Sequence, residues 1–138
     1  MAPDTGMPPG AAFHHLGYAC ASLARDRAQF EQLGYRAEGE PFADETQGIA
    51  GLFMTGPGPR LELLENLPGR KTLDAWLAQG TKVYHFAYEV PSMDAALVWA
   101  RTQRAVVTVK PVPAIAFGGR HIAFVMLRNG WLLEFIEQ

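Results

Sequence analysis

Two histidines and two glutamates stand out by type and by spacing: His15, Glu62, His85 and Glu134. Glu62 follows His15 by 47 positions and Glu134 follows His85 by 49. Each histidine sits in a stretch rich in aromatic and β-branched residues, F-H-H-L-G-Y-A-C over 13–20 and K-V-Y-H-F-A-Y-E-V over 82–90. Each glutamate sits in a matching apolar stretch, L-E-L-L-E-N over 61–66 and L-E-F-I-E-Q over 133–138. All four stretches read as strands, and strand side chains alternate between faces. Glu62 then shares a face with Leu64, and Glu134 with Leu132 and Ile136, while Glu65 and Glu137 point the other way. A carboxylate among aliphatic neighbours needs a partner or a metal. Two imidazoles and two carboxylates suit a borderline divalent ion with open positions. Taken singly, a strand His is more often a hydrogen-bonded core or surface residue than a ligand, and a strand Glu next to Leu is more often a rim residue. The matched spacing ties the four together.

The elements that must position them repeat as well. Ser22 and Ser92 follow the two histidine strands at one offset, and each reads as a helix N-cap. Leu23, Phe30 and Leu33 then recur at helical spacing, and Gly34 ends that helix. Strands follow over 35–42 and 49–55, the Gly56-Pro57-Gly58-Pro59 turn, and a strand over 60–65. Thr72 is expected to cap a short connector helix ending at Gly80, with Leu73, Trp76 and Leu77 on one face. After 82–90, Met93, Ala96, Leu97 and Ala100 line a helix. A strand over 106–109 is demoted to an edge by Pro111 and Pro113. Gly118-Gly119 is a turn, and a strand over 121–127, the Asn129-Gly130 hairpin turn and a strand over 131–136 close the chain. The order β-α-β-β-β thus occurs twice, a duplicated supersecondary unit. Two such open sheets are expected to bury their apolar faces against each other.

With 138 residues, one domain is expected: an N-terminal arm over 1–12, made loose by its Pro and Gly, module one over 13–65, a connector over 66–81 and module two over 82–138. The formal net charge of −2 gives no basic field, so neither nucleic acid nor an anionic membrane surface is an expected partner. No apolar run reaches the roughly 20 residues of a spanning helix, and the N-terminus lacks the pattern of a secretory signal. Cys20 is the single cysteine, so no internal disulfide forms, and a buried apolar role fits it. A cytoplasmic location is expected.

The motifs H-H-L-G-Y-A, R-L-E-L-L-E-N, Y-H-F-A-Y-E-V and G-W-L-L-E-F-I-E, in this order, resemble the vicinal oxygen chelate superfamily, which includes glyoxalase I, methylmalonyl-CoA epimerase, extradiol dioxygenases and bleomycin-resistance proteins. G-G-R-H-I-A-F-V is similar to the epimerase branch. The resemblance implies an α+β fold in which paired βαβββ modules form an eight-stranded cup. It implies one divalent ion (Zn, Ni, Co, Mn or Fe) held by His15, Glu62, His85 and Glu134. It also implies a homodimer. Epimerases carry a catalytic Glu in an E-x-G-[VI] segment; this chain has T-Q-G-I, with Thr46 at the acid's place and Glu45 beside it.

Three functions follow as expectations. The first is a metal-dependent isomerase, epimerase or lyase that abstracts a proton next to a carbonyl of a small oxygenated substrate, anionic or thioester-bearing among the options. Glu134 is the leading base and Glu62 the second. Arg60, Lys110 and Arg120 are candidates for an anionic group. The second is a metal-free binding protein of the bleomycin-resistance type, with Tyr88, Phe117 and Trp131 stacking on its ligand. The third is an iron-dependent extradiol dioxygenase using His15, His85 and Glu134. Glu89 shares a face with His85 and is either a partner that orients a ligand or half of a rim salt bridge.

Overall fold

The computed structural model describes residues 6–138. The first module runs β1 (Ala12–Ala19), α1 (Leu23–Gln32), β2 (Arg36–Asp44), β3 (Ile49–Thr55) and β4 (Leu61–Asn66). The connector carries α2 (Asp74–Gln79). The second module runs β5 (Val83–Val90), α3 (Met93–Thr102), β6 (Val106–Pro113), a 3-10 turn at Ile115–Phe117, β7 (His121–Met126) and β8 (Leu132–Glu137). The duplicated β-α-β-β-β order is the order observed.

All eight strands form one sheet, in the order β2-β3-β4-β1-β5-β8-β7-β6. The two modules therefore do not stack as separate sheets, as alternation alone suggested. They join edge to edge where β1 pairs antiparallel with β5. Within each module the first strand pairs parallel with the last, β1 with β4 and β5 with β8. The joined sheet curls so that inward residues of both modules share one apolar cluster, with Ala19, Ile49 and Leu64 from the first and Ala87, Leu132 and Ile136 from the second. The helices cover the outer face over two further clusters, Leu52, Met54, Leu61 and Leu63 under α1 and Ala123, Val125, Leu133 and Phe135 under α3. β6 is an edge, as its prolines require, and carries two register shifts.

The closing strands do two jobs with their two acids. Ser22 Oγ accepts from the Arg25 amide at 3.2 Å, and Ser92 Oγ from the Ala95 amide at 3.1 Å, so both N-caps form as expected. The outward acid of each closing strand reaches the same helix start: Glu65 Oε1 accepts from the Leu23 amide at 3.1 Å and Glu137 Oε2 from the Met93 amide at 2.7 Å. A carboxylate there satisfies an orphan donor and suits the positive end of the helix dipole. The inward acids are left for the interior.

Thr72 does not cap α2. The N-cap is Leu73, without a side-chain bond, and Thr72 Oγ1 donates to the Gln47 carbonyl at 2.7 Å. Asn66 takes over, its Oδ1 accepting from the Leu73 amide at 2.8 Å and its Nδ2 donating to Asp74 Oδ1 at 2.9 Å. The first five residues of the expected arm lie outside the described residues. The rest of it packs rather than hanging free: Met7 and Ala11 lie on the outer cluster, and Trp99 Nε1 donates to the Gly6 carbonyl at 2.6 Å.

Candidate metal centre

His15, Glu62, His85 and Glu134 come from β1, β4, β5 and β8, the four central strands of the sheet. All four are buried. His15 Nε2 lies 3.1 Å from Glu62 Oε1 and 3.3 Å from Glu134 Oε1. His85 Nε2 lies 3.3 Å from Glu134 Oε1, 3.8 Å from Glu62 Oε1 and 3.4 Å from His15 Nε2. One donor atom from each residue falls within 4.8 Å of all the others.

The spacing fits a metal. Ligand bonds of roughly 2.0–2.2 Å imply donor-to-donor separations of about 3–3.5 Å around one ion, close to most of those observed. The hydrogen-bond inventory points the same way. Glu134 Oε1 and His85 Nδ1 are buried without a hydrogen-bond partner, and Glu134 Oε1 is the atom turned toward both imidazoles. Two nitrogens and two carboxylate oxygens make a set suited to Zn, Ni, Co, Mn or Fe.

Without an ion, a proton holds the cluster together. Burial opposes charge on His15, but Glu62 and Glu134 outweigh it and raise His15 to about 9. Burial likewise disfavours the Glu134 carboxylate, while its close contacts with the His15 and His85 imidazoles overcome it and bring Glu134 down to about 2.

Each histidine strand departs from simple alternation just before its buried histidine. The β1–β5 register slips between Phe13 and His15 and again between Gly17 and Tyr18 opposite His85 and Val83, leaving His14 and Tyr84 unpaired. A bulge turns an extra residue onto the same face. His14 therefore lies beside His15, ring centroids 5.0 Å apart, rather than on the outer face, and Tyr84 joins the interior cluster. His14 Nδ1 and His15 Nδ1 are 2.8 Å apart. Burial, then the charge on His15, lowers His14 to about 4, so it is neutral near pH 7 and accepts from His15 Nδ1–H. That bond fixes His15 with Nε2 facing the cluster. Strict alternation hid this role, since it places His14 on the outer face; the doubled histidine was the available signal.

Gly17 is the second residue that alternation undervalues. It pairs with His85, and a Cβ there would fall inside 3.0 Å of Cε1, Nδ1 and Nε2 of the imidazole. The glycine is the floor on which the His85 ring lies. His85 is further walled by Tyr84 and Phe124, with centroids at 4.5 and 5.1 Å.

Glu62 and Glu134 form part of the wall of a cavity of about 410 Å³, within the size range of small-molecule sites. The connector contributes Thr72, Leu73 and Trp76, β6 contributes Thr108, Val109 and Val112, and the 3-10 turn adds Ala116 and Phe117. Asp44 ties the two modules together. Its carboxylate accepts from the Gln47 amide and side chain at 3.1 and 2.9 Å and from the Ile115 amide at 3.2 Å.

The remaining candidates separate. Phe117 lines the cavity. Trp131 packs against Phe86 at 4.9 Å and Tyr88 against Phe13 at 5.7 Å, both on the outer side, because each is out of phase with the inward residues of its strand. They do not reach the cavity. Glu89 forms a salt bridge with Arg120 at 2.9 Å, and hydrogen bonding from Arg120 lowers its pKa. Arg60 pairs with Glu38 at 3.0 Å and donates to the His14 carbonyl. Lys110 is exposed on β6. Thr46 lines the cavity, whereas Glu45 is exposed and not among its walls.

Comparison with known proteins bears on the same residues. No match was found among curated protein sequences. The fold is shared with solved structures at low identity. A hypothetical protein from Bacillus halodurans is 22% identical over 94% of this chain and 95% of its own, with a TM-score of 0.80. Methylmalonyl-CoA epimerase from Mycobacterium tuberculosis is 21% identical over 99% and 92%, with a TM-score of 0.77. A Streptomyces coelicolor methylmalonyl-CoA epimerase variant bound to 2-nitronate-propionyl-CoA is 22% identical over 92% and 94%, with a TM-score of 0.72. A family model, the Glyoxalase/Bleomycin resistance protein/Dioxygenase superfamily, matches residues 14–124 and takes in His15, Glu62 and His85. The chain belongs to the glyoxalase/bleomycin resistance protein/dioxygenase superfamily.

Proposed function

We propose that the chain is a divalent-metal-dependent enzyme of isomerase, epimerase or lyase type that moves a proton next to a carbonyl of a small oxygenated substrate. The observation that supports this is the convergence of His15, Glu62, His85 and Glu134 on one another, with the two glutamates lining a substrate-sized cavity. A divalent ion held by these residues would supply Lewis acidity toward a bound carbonyl oxygen. Proton transfer falls to the two glutamates, the carboxylates among the cavity-lining residues. Thr46 has no acid to offer and Glu45 faces solvent. Glu134 is the leading base and Glu62 the second. The imidazole contacts hold Glu134 as a carboxylate, while burial favours its protonated form. A Glu134 that swings off the imidazoles into the cavity therefore gains proton affinity, as a base taking a carbon-bound proton requires. His14 keeps His15 in register, and the connector and 3-10 turn supply wall residues of the cavity.

The test is proton exchange. Protein loaded with Ni, Co, Zn or Mn is incubated in deuterated water with a panel of α-hydroxy carbonyls and acyl thioesters, and loss of the α-proton signal is followed by NMR. Exchange that disappears in Glu134→Gln is the expected result; no exchange across the panel by metal-loaded protein would remove the reading. The apolar lining favours a second reading, a metal-free binding protein, for which ligand affinity would be unchanged by His85→Ala and Glu134→Ala. A dioxygenase is disfavoured by Glu62, a fourth donor close to His15. The proposal includes a homodimer, for which Phe13, 47% exposed beside Phe86 and Tyr88, offers an apolar contact; light scattering after size exclusion checks it.

A further inference from the structure

We infer that the part of the substrate that enters the cavity is uncharged and apolar, with its oxygen-bearing end at Glu62 and Glu134. The inference rests on the proposed function and narrows its substrate class. Among the described residues lining the cavity there is no lysine or arginine. The wall is mostly hydrocarbon and ring, including Phe42, Leu64, Trp76, Val112, Phe117 and Phe124, and its other polar groups are the hydroxyls of Thr46, Thr72, Thr108 and Tyr84 and the Gln47 amide.

Nearby cations are engaged elsewhere. Arg120 lies 5.8 Å from the Phe117 ring centroid, but its guanidinium is paired with Glu89 and bonded to the Phe117 carbonyl. Arg60 is held by Glu38 and the His14 carbonyl. Arg70 donates to the Glu45 carbonyl and is exposed.

The charge count at the site leads to the same class. Two carboxylates already balance a divalent ion when both imidazoles are neutral. An anionic group drawn into the cavity would then be desolvated beside two glutamates with no counter-charge. Size adds a limit: about 410 Å³ is roughly fourteen waters at ~30 Å³ each, room for a ring-bearing small molecule. Phe42, Phe53 and Phe117 stand in a row with centroids 5.9 and 5.7 Å apart, and Phe42 and Phe117 face the cavity, a surface suited to a flat apolar group. A carboxylate carried on the part of the substrate away from Glu62 and Glu134 finds no partner in such a wall.

Two probe pairs test this by calorimetry and tryptophan fluorescence. Zinc-loaded protein is titrated with benzohydroxamic acid and with 4-carboxybenzohydroxamic acid, which share a chelating head and differ by one tail charge. Metal-free protein is titrated with 2-naphthol and with 2-naphthoate, with Trp76→Phe identifying the cavity signal. The uncharged member of each pair is expected to bind at least about tenfold more tightly, and Thr108→Lys to narrow the gap. Equal or tighter binding of the charged member would overturn the inference. Absence of zinc uptake with a retained preference for 2-naphthol would remove the metal-enzyme reading and leave the inference standing.

Discussion

Gly17→Ala is the smallest change that separates the site from the fold. Gly17 is not in the left-handed region, so alanine suits its backbone. The added Cβ, however, would fall inside 3.0 Å of three atoms of the His85 imidazole. Carbon atoms settle at about 3.5–4.0 Å, so the ring has to shift by more than about half an ångström. Tyr84 and Phe124 block lateral escape. His85 Nε2 then leaves its position 3.3–3.4 Å from Glu134 Oε1 and His15 Nε2. Structural zinc sites bind with roughly 10–16 kcal/mol in total, so one of four ligands is worth about 3–4 kcal/mol, or about a few hundredfold in affinity. The fold loses less, about 1–3 kcal/mol for overpacking. Competition against a chromophoric chelator reads the affinity, and circular dichroism with thermal melting reads the fold. Adding His85→Ala to Gly17→Ala removes the clash and should recover part of the lost stability. A folded Gly17→Ala protein with wild-type metal affinity would refute the reasoning.

Other consequences follow from the same geometry. His14→Ala leaves His15 Nδ1 without its acceptor, and metal affinity measured by competition should fall by about 10–100-fold with the melting curve little changed. The pKa shifts set a pH signature. His15, raised to about 9, stabilises the metal-free protein fully below about 6.5 and loses that contribution as pH rises through 9; Glu134, lowered to about 2, contributes above about 4.5 and loses it as pH falls toward 2. Metal uptake at pH 7 should therefore release about one proton, read by calorimetry in buffers of different ionisation enthalpy, and release of none would contradict a protonated His15. Glu137→Ala removes the acceptor of the Met93 amide and should cost about 1 kcal/mol in denaturant unfolding while metal affinity holds.

Much of this was legible in the sequence because the duplication doubles every signal. The matched His-to-Glu spacing picked out the four clustered residues, and the Ser caps at 22 and 92 fixed both helix starts. What escaped were features that depend on departures from regular patterns. The bulges at His14 and Tyr84 break a period of two, and nothing in F-H-H-L-G or V-Y-H-F announces a register shift. The union of the modules into a single sheet depends on β1 meeting β5, a contact 70 residues apart at His15 and His85, which local pattern does not encode. Trp131 and Tyr88 read as ligand-stacking rings by type alone, but their phase along the strand turns them outward. The clamp of Asp44 on Ile115 likewise appears only once both modules are folded.

The most direct test of the account is metal stoichiometry. Purified, metal-stripped protein is titrated with Co(II) and the bound ion counted by calorimetry and by its visible absorption spectrum. The account requires one ion per chain in a mixed nitrogen and oxygen environment, with binding abolished when His15 and His85 are both replaced by alanine. No stoichiometric binding of Co(II), Ni, Zn or Mn by the folded protein, or binding that survives loss of both histidines, would contradict it.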